Sequence, residues 1–479
     1  MQLTAEKQAE REKTVHSRQV LFAALPPEWP EPLLPRIQDH IRASGRKVVV
    51  LDDDPTGGQT THNLPVLTEW SVAALQAELV GDFPCFYILT NTRSLPLAEA
   101  QALNAEVGCN LAQAAHRCGI DFAVVCRGDS TLRGHYPGEM DALAAAIDAT
   151  TWPVILVPFF LEGERFTLDN VHYVAEGDRL IPAGETQYAR DAAFGYRASD
   201  LREWVEEKTA GRINSANVQT ISAHDLRHGG PERICALLRA LPERSVCAAN
   251  AASYRDLEVL VAGLLDAESQ GSCFLCRTAA SFVRVRAGIA PRPLLTRAEL
   301  GAKEKTGGLF VIGSYVAKST AQVAALLNQS QVAEIKVNAQ ALLHAETRDK
   351  EITHAAEEAT AQLASGRTAV IYTSREIITG ADSERSLQIG KAISTGLVSI
   401  VSGIDTTPRY IVAKGGATAS AVATEALSVR RALVLGQILP GVPVWQLGPE
   451  SCFPGTPYVV FPGNVGGEDA LARTAEIFG

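Results

Sequence analysis

The sequence predicts an α/β protein of two domains, each a mostly parallel sheet covered by helices. Three observations predict it. The 479 residues exceed what one ordinary hydrophobic core organises, so two domains are the first expectation. Short apolar runs rich in Val and Ile alternate with longer stretches rich in Ala, Leu, Glu and Gln, the pattern of parallel strands joined by helices. Between two such series, Ala287 to Thr296 carries two prolines and leads into the charged, glycine-containing stretch Arg297 to Gly308, which reads as a domain boundary.

In chain order, residues 1–45 read as an accessory arm. Glu6 to Lys13 is polar and helical in pattern, and Pro26, Pro27, Pro30, Pro32 and Pro35 then break regular structure. Residues 46–287 form the first domain, with strands expected at Val48–Leu51, Phe86–Thr90, Phe122–Cys126, Val154–Pro158, Val218–Ile221, Val246–Ala249 and Phe274–Arg277. Helices are expected at Leu97–Cys118, Gly138–Ile147 and near Tyr254–Glu268. Residues 288–307 are the linker. Residues 308–479 form the second domain, with strands at Leu309–Ile312, Glu334–Val337, Ala369–Thr373, Tyr410–Lys414, Val442–Gln446 and Tyr458–Phe461.

Bulk properties exclude several function classes. The net charge of −10 disfavours non-specific binding to nucleic acid or to an anionic membrane, though not an anionic small substrate held by local arginines. No run of about 18 apolar residues, the length that marks a membrane span, exists, and the charged N-terminus lacks a signal-like apolar stretch. Nine scattered cysteines, an odd number, fit reduced thiols in a cytoplasm. Cys273 and Cys276 lie in an expected strand without a second pair or paired histidines, so no protein metal site is expected. A homodimer is left open.

The first chemical signal is Val48–Leu51 running into Asp52, Asp53 and Asp54, then Pro55, Thr56, Gly57 and Gly58. Adjacent carboxylates repel and are costly to bury unpaired. They belong at the open carboxyl edge of a parallel sheet, where α/β proteins bind ligands, or else in a plain polar loop. Two further strand ends carry chemistry: Thr90 to Ser94, with Arg93, and Cys126 to His135, with Arg127, Asp129, Ser130, Thr131 and Arg133. Arginine forks suit a carboxylate, and carboxylates with hydroxyls suit sugar hydroxyls, so these loops together fit a small polyhydroxy acid. The alternative is a structural ion network pairing Arg127 and Arg133 with Asp52 to Asp54. His62 and His135 read as structural histidines.

The second domain holds two glycine-rich turns, each between a strand and a helix. In the first, Gly415 and Gly416 follow the strand, Ala417 comes next, and Thr418 stands where it would cap an Ala-rich helix. In the second, Gly463, Asn464, Gly466 and Gly467 separate a strand from a helix. Both suit phosphate on backbone N–H groups, the first alternatively being an ordinary strand-to-helix turn. Val311 to Thr320 superficially suggests a phosphate loop, but Ala317 replaces the glycine required before Lys318; Gly313 and Ser314 are kept as nucleotide contacts. No Gly-x-Gly-x-x-Gly follows a strand, so a dinucleotide fold is not indicated.

These motifs, in this order, resemble the four-carbon acid sugar kinases, formerly a family of unknown function, over about residues 46–478. Asp53 to Gly57 matches the family's Asp-Asp-x-Thr-Gly, Thr90 to Ser94 its Thr-x-x-Arg-Ser, and Asp129 to Gly134 its Asp-Ser-Thr-x-(Lys/Arg)-Gly. Gly415 to Thr418 matches Gly-Gly-x-Thr, and Gly463 to Gly466 matches Gly-Asn-x-Gly. Each is modest alone; together and in order they are specific. The resemblance implies a sugar-acid-binding N-terminal domain, an ATP-binding C-terminal domain and a substrate cleft between them. It implies transfer of the γ-phosphoryl group of ATP, with Mg²⁺, to the 4-hydroxyl of threonate, erythronate or 3-oxo-tetronate. On that reading Asp53, Asp54 and Asp129 are catalytic, one of them orienting or deprotonating the attacking hydroxyl. Arg93 and Arg133 grip the substrate carboxylate beside Ser130. Ser314, Gly415, Gly416, Ala417, Thr418, Gly463 and Asn464 hold the nucleotide. The chain departs from shorter members in its arm, in Asp52 where alanine is common, and in an extended stretch around Gly184 to Asp191. A kinase of another small hydroxy acid and a nucleotide-gated sugar-acid sensor are the alternative readings.

Overall fold

The computed structural model describes residues 16–301, 305–313, 317–374, 383–463 and 465–479. Its first strands in chain order are β1 (His16–Ser17), β2 (Lys47–Asp52), β3 (Leu64–Leu67), β4 (Cys85–Leu89), β5 (Phe122–Arg127), β6 (Val154–Val157), β7 (Arg165–Leu168), β8 (Val171–Glu176) and β9 (Arg179–Pro182). Then come β10 (Gln219–Ile221), β11 (Val246–Ala249), β12 (Leu275–Thr278), β13 (Leu309–Ile312), β14 (Val332–Val337) and β15 (Thr368–Thr373). The last are β16 (Ile411–Lys414), β17 (Arg431–Leu439), β18 (Val442–Leu447) and β19 (Pro457–Phe461). The chain folds as two compact units: Met1–Asp53 with Trp70–Pro291, and Asp54–Glu69 with Arg292–Gly479.

In the first unit, β10-β11-β6-β12-β5-β2-β4 lie side by side and every neighbouring pair is parallel. Helices cover the sheet, so central strands such as Val48–Leu51 are buried throughout; that is why they read as unbroken apolar runs. The helix Leu97–Cys118 ends at Gly119 in the left-handed region, with His116 and Arg117 in its last turn complementing the helix dipole. It packs tightly on the helix Gly138–Ala146: a Cβ on Gly108 would lie 2.6 Å from that of Ala146. The helix Tyr254–Ser269 starts in a reciprocal cap between Ser253 and Asp256. Because all seven strands run one way, their carboxyl ends share one edge, and those of β12, β5, β2 and β4 are neighbours there.

A small antiparallel sheet, β1-β9-β8-β7, completes this unit. The described part of the N-terminal arm is fastened to it: His16 pairs with Leu180, and the Arg18 guanidinium lies over the rings of Phe22 and Phe166. Farther along, Arg227 Nη1 donates to the Pro26 carbonyl. Glu6 to Lys13 lies outside the described residues.

In the second unit β19-β16-β13-β15-β14 are parallel, and β3-β17-β18-β19 are antiparallel. Phe310, Val412, Val459, Phe461 and Leu471 fill its core, with Tyr410 stacked on Phe478 at 4.0 Å. Residues 54–69, which the sequence reading placed with the N-terminal domain, belong to this unit through the pairing of β3 with β17. The acidic run is therefore divided after Asp53.

The strands that the hydropathy pattern did not predict, β1, β3, β7, β8, β9 and β17, are antiparallel ones. In β17 alternate residues are buried, but Leu433 and Leu435 occupy the half-exposed positions, so burial alternates where hydropathy does not. Among the described residues no helix is long and apolar enough to cross a membrane.

Candidate functional site

The carboxyl edge of the first unit is built from charged side chains. Asp52, the last residue of β2, stands opposite Arg127, the last residue of β5. Arg127 Nη1 is 3.1 Å from Asp52 Oδ1 and 3.9 Å from Asp53 Oδ1, and all three residues are buried. Arg277, at the end of β12, brings its Nη2 to 3.5 Å from Asp53 Oδ2. Asp53 is only 4% exposed, yet neither of its carboxylate oxygens accepts a hydrogen bond among the described residues. An ionised carboxylate has about four acceptor sites, so Asp53 keeps capacity for a donor that the described residues do not supply.

Two glycines make room for Arg277. A Cβ on Gly128 would fall 2.1 Å from its Cζ, and one on Gly134 would fall 2.9 Å from its Nη2 and 3.3 Å from Asp53 Oδ2. Arg277 was not singled out from the sequence. Its signal was available: a cation closing an expected parallel strand, one register position before Arg127 on the neighbouring strand.

Asp129 sits among arginines. Arg133 Nε is 2.7 Å from its Oδ2, Arg93 Nη1 is 3.5 Å from its Oδ1, and Thr131 Oγ1 donates to Oδ2. Burial alone would raise this carboxyl; the charges of Arg93 and Arg133, with the Arg133 and Thr131 hydrogen bonds, reverse that and hold it well below the usual carboxylate range. Asp129 is thus a fixed anion and a weak proton acceptor, and it occupies the two arginines that the sequence reading reserved for a substrate carboxylate. Arg133 also reaches Asp191 at 3.5 Å.

The Asp129–His135 loop is held from several sides. His172 is fully buried; its Nε2–H donates to the Ser130 carbonyl at 2.8 Å and its Nδ1 accepts from Thr167 Oγ1 at 2.9 Å. Burial pushes the imidazole down to about 4, so it stays neutral in this tautomer. The Tyr196 hydroxyl donates to the Thr131 carbonyl at 2.6 Å. His135 Nε2 is 2.8 Å from the Leu95 carbonyl, and its ring meets Phe194 edge-on. The neighbouring loop is tied to β2 by Thr90, whose N–H and hydroxyl both donate to the Asp52 carbonyl. Buried Glu139, also missed from the sequence, has its carboxyl raised by burial, against Arg277 and reinforced by the charge of Asp53. Its position in the first turn of a helix gave no chemical signal.

The second unit presents a different edge. Gly415, at φ 107°, turns the chain from β16 into the helix Gly416–Ala421. Gly415 is the cap residue and no side chain caps this helix, so the expected Thr418 cap is corrected: Thr418 lies inside the first turn. There its hydroxyl meets the end of β13, for a Cβ on Gly313 would be 2.2 Å from Thr418 Oγ1. Lys414, wholly buried, donates from Nζ to the Pro462 and Gly463 carbonyls, each at 3.2 Å, and lies over the Phe461 ring. Lys414, at the end of β16, thereby ties that strand to the turn after β19. Ala417 is exposed on this edge and Gly463 half-buried. Ser314 and Asn464 lie outside the described residues.

Asp54 is on this second edge. Its Oδ1 accepts from the Thr56 N–H at 2.9 Å and the Thr56 hydroxyl at 2.5 Å. Its Oδ2 would be 2.9 Å from a Cβ on Gly416. The sequence reading grouped Asp53 and Asp54 as one acidic pair. Their side chains have different neighbours: Arg127 and Arg277 for Asp53, Thr56 and Gly416 for Asp54. Among the described residues no group of three His, Cys, Asp or Glu side chains is placed to hold a metal ion by itself.

Comparison with known proteins adds to this geometry. Residues 48–286 match the model of a sugar-binding N-terminal domain, and residues 309–471 that of a nucleotide-binding C-terminal domain. A solved structure from Salmonella typhimurium LT2, under a provisional tRNA-synthase name, is similar with a TM-score of 0.64 at 18% identity, over 89% of this chain and 98% of that one. A Haemophilus influenzae protein of family DUF1537 is similar with a TM-score of 0.60 at 17% identity, over 90% of this chain and 100% of its own. At such identities the likeness concerns the fold. No curated protein sequence matches the chain.

Proposed function

The chain belongs to the four-carbon acid sugar kinase family, and we propose that it is an ATP-dependent kinase of the terminal, 4-hydroxyl group of a four-carbon sugar acid such as threonate, erythronate or 3-oxo-tetronate. The observation that carries this reading is Asp53: a buried carboxylate at a parallel-strand end, beside two arginines, with neither oxygen accepting a hydrogen bond among the described residues. A substrate hydroxyl supplies the missing donor.

Phosphoryl transfer needs alignment and charge neutralisation more than covalent chemistry. In the sugar-binding unit Asp53 orients the attacking hydroxyl and accepts its proton as the bond to phosphorus forms. Ser130 contacts a further substrate hydroxyl. Asp129 acts as the clamp that positions Arg93 and Arg133. In the nucleotide-binding unit Gly415, Gly416, Ala417 and Thr418 carry the ATP phosphates on backbone N–H groups and a hydroxyl, with Ser314, Gly463 and Asn464 completing the pocket. Glycine at 416 leaves the backbone open to a phosphate.

The residues fit Mg²⁺ on those phosphates, since the Asp54 carboxylate lies against Gly416, and Mg²⁺ is commonly held by one or two carboxylates plus phosphate oxygens. Bound there, the ion neutralises phosphate charge. Asp54 would hold it, with Thr56 fixing the carboxylate.

The test is ADP release from ATP with a panel of four-carbon acids, widened to three-, five- and six-carbon acids. Turnover highest on a four-carbon acid is expected. Preference for another length would reassign the substrate, and acid binding without turnover on any member would favour a sensor.

A further inference from the structure

With Asp129 on Arg93 and on Nε of Arg133, a fork for the substrate's carboxylate needs a further cation. Arg127 is paired with Asp52, and Arg277 is at ion-pair distance from Asp53. Arg165, the first residue of β7, differs: among the described residues it forms no ion pair, and its buried Nε has no hydrogen-bond partner. Its guanidinium lies 5.7 Å from the centre of the Tyr188 ring and its Nη2 is 3.5 Å from the Tyr188 hydroxyl. The Arg133 guanidinium lies 5.2 Å from the centre of the same ring. Arg133 spends Nε on Asp129 and Nη1 on Asp191, while its Nη2 has no described partner. Two guanidiniums sharing one aromatic ring repel each other, and an anion that both can fork relieves that repulsion.

We propose that Arg165, with Nη2 of Arg133, grips the carboxylate of the acid substrate, and that Tyr188 holds the two guanidiniums in register for it. Tyr188 lies in the stretch Gly184 to Asp191, so that stretch becomes a determinant of acid recognition. Asp191 and Tyr196 from the same region steady Arg133 and the Thr131 carbonyl.

This proposal rests on the kinase reading, and the experiment separates the two. ADP release is measured for the wild type, Arg165→Gln and Arg165→Lys, with the preferred acid and with its neutral amide. For Arg165→Gln the KM for the acid should rise about 30-fold, the scale of one charged hydrogen-bonded contact, with the KM for ATP unchanged. Preference for acid over amide should fall by the same factor. Arg165→Lys, which keeps the charge and loses the fork, should fall between and decides the matter if the Gln variant does not fold. An unchanged acid KM and acid-to-amide ratio in either folded variant overturns the assignment. If the wild type turns over no acid, the kinase reading fails by itself. Calorimetric titration of the same acids then judges Arg165 separately: weaker binding by Arg165→Gln supports it, and equal binding overturns it.

Discussion

The two strand-end edges of this protein are built in opposite ways. In the sugar-binding unit the edge consists of ionised side chains packed at low exposure: Arg127 on Asp52, Arg277 on Asp53, and Arg93 and Arg133 on Asp129. In the nucleotide-binding unit the edge is backbone: Gly313, Gly415 and Gly416, and carbonyls locked by Lys414. Side-chain forks read the shape and charge of a small acid, whereas bare N–H groups accept any well-placed phosphate. The first edge should therefore be sensitive to chemical identity and the second to bulk.

The largest expected effect is on the first edge. Asp53→Asn keeps the volume but removes the proton acceptor, so kcat should fall on the order of 10³-fold, while ATP affinity measured by calorimetry stays within a factor of two. A large loss of ATP affinity would erase the contrast between the edges. Next comes bulk on the second edge. Gly416→Val places a Cβ 2.9 Å from Asp54 Oδ2 and branches beyond it. Nucleotide affinity should weaken on the order of 100-fold, with the binding of the acid alone unchanged.

Asp129→Asn sharpens the contrast differently. It leaves Arg93 and Arg133 facing a neutral group, and unfolding in urea should show a loss of about 3 kcal/mol. If Asp129 is a clamp, kcat of the folded variant should fall much less than in Asp53→Asn; equal losses would make it the base. The smallest effect is one of pH. The His172 imidazole is lowered by burial from 6.5 to about 4, so its contribution is complete above 6.5 and declines as pH falls through that window, because only the unfolded chain takes up the proton there. Between pH 7 and pH 5 this amounts to about 2 kcal/mol. Urea melts at the two values should show it, and His172→Gln should flatten the difference.

Much of the fold was legible because parallel strands covered on both faces must be apolar throughout, as Val48–Leu51 and Leu309–Ile312 are. The antiparallel strands were not, because β17 carries leucines on its half-exposed side and β7 to β9 are short, each carrying at least one charged residue. At the site, the motifs located the loops but not the pairings within them. Asp129 read as free chemistry although it is neutralised, and Asp53 and Asp54 read as one pair. Arg277 reaches Asp53 from a distant sequence position and Arg165 meets the Tyr188 ring that Arg133 also faces, through contacts that no local spacing encodes.

The central claim is that adjacent aspartates serve different substrates, Asp53 the acid and Asp54 the magnesium nucleotide. Titrating ATP into Asp53→Asn and Asp54→Asn, with and without Mg²⁺, tests it most directly. The account predicts that Asp54→Asn abolishes most of the Mg²⁺-dependent gain in ATP affinity and that Asp53→Asn preserves it. Loss of that gain in Asp53→Asn, with Asp54→Asn unaffected, would contradict it.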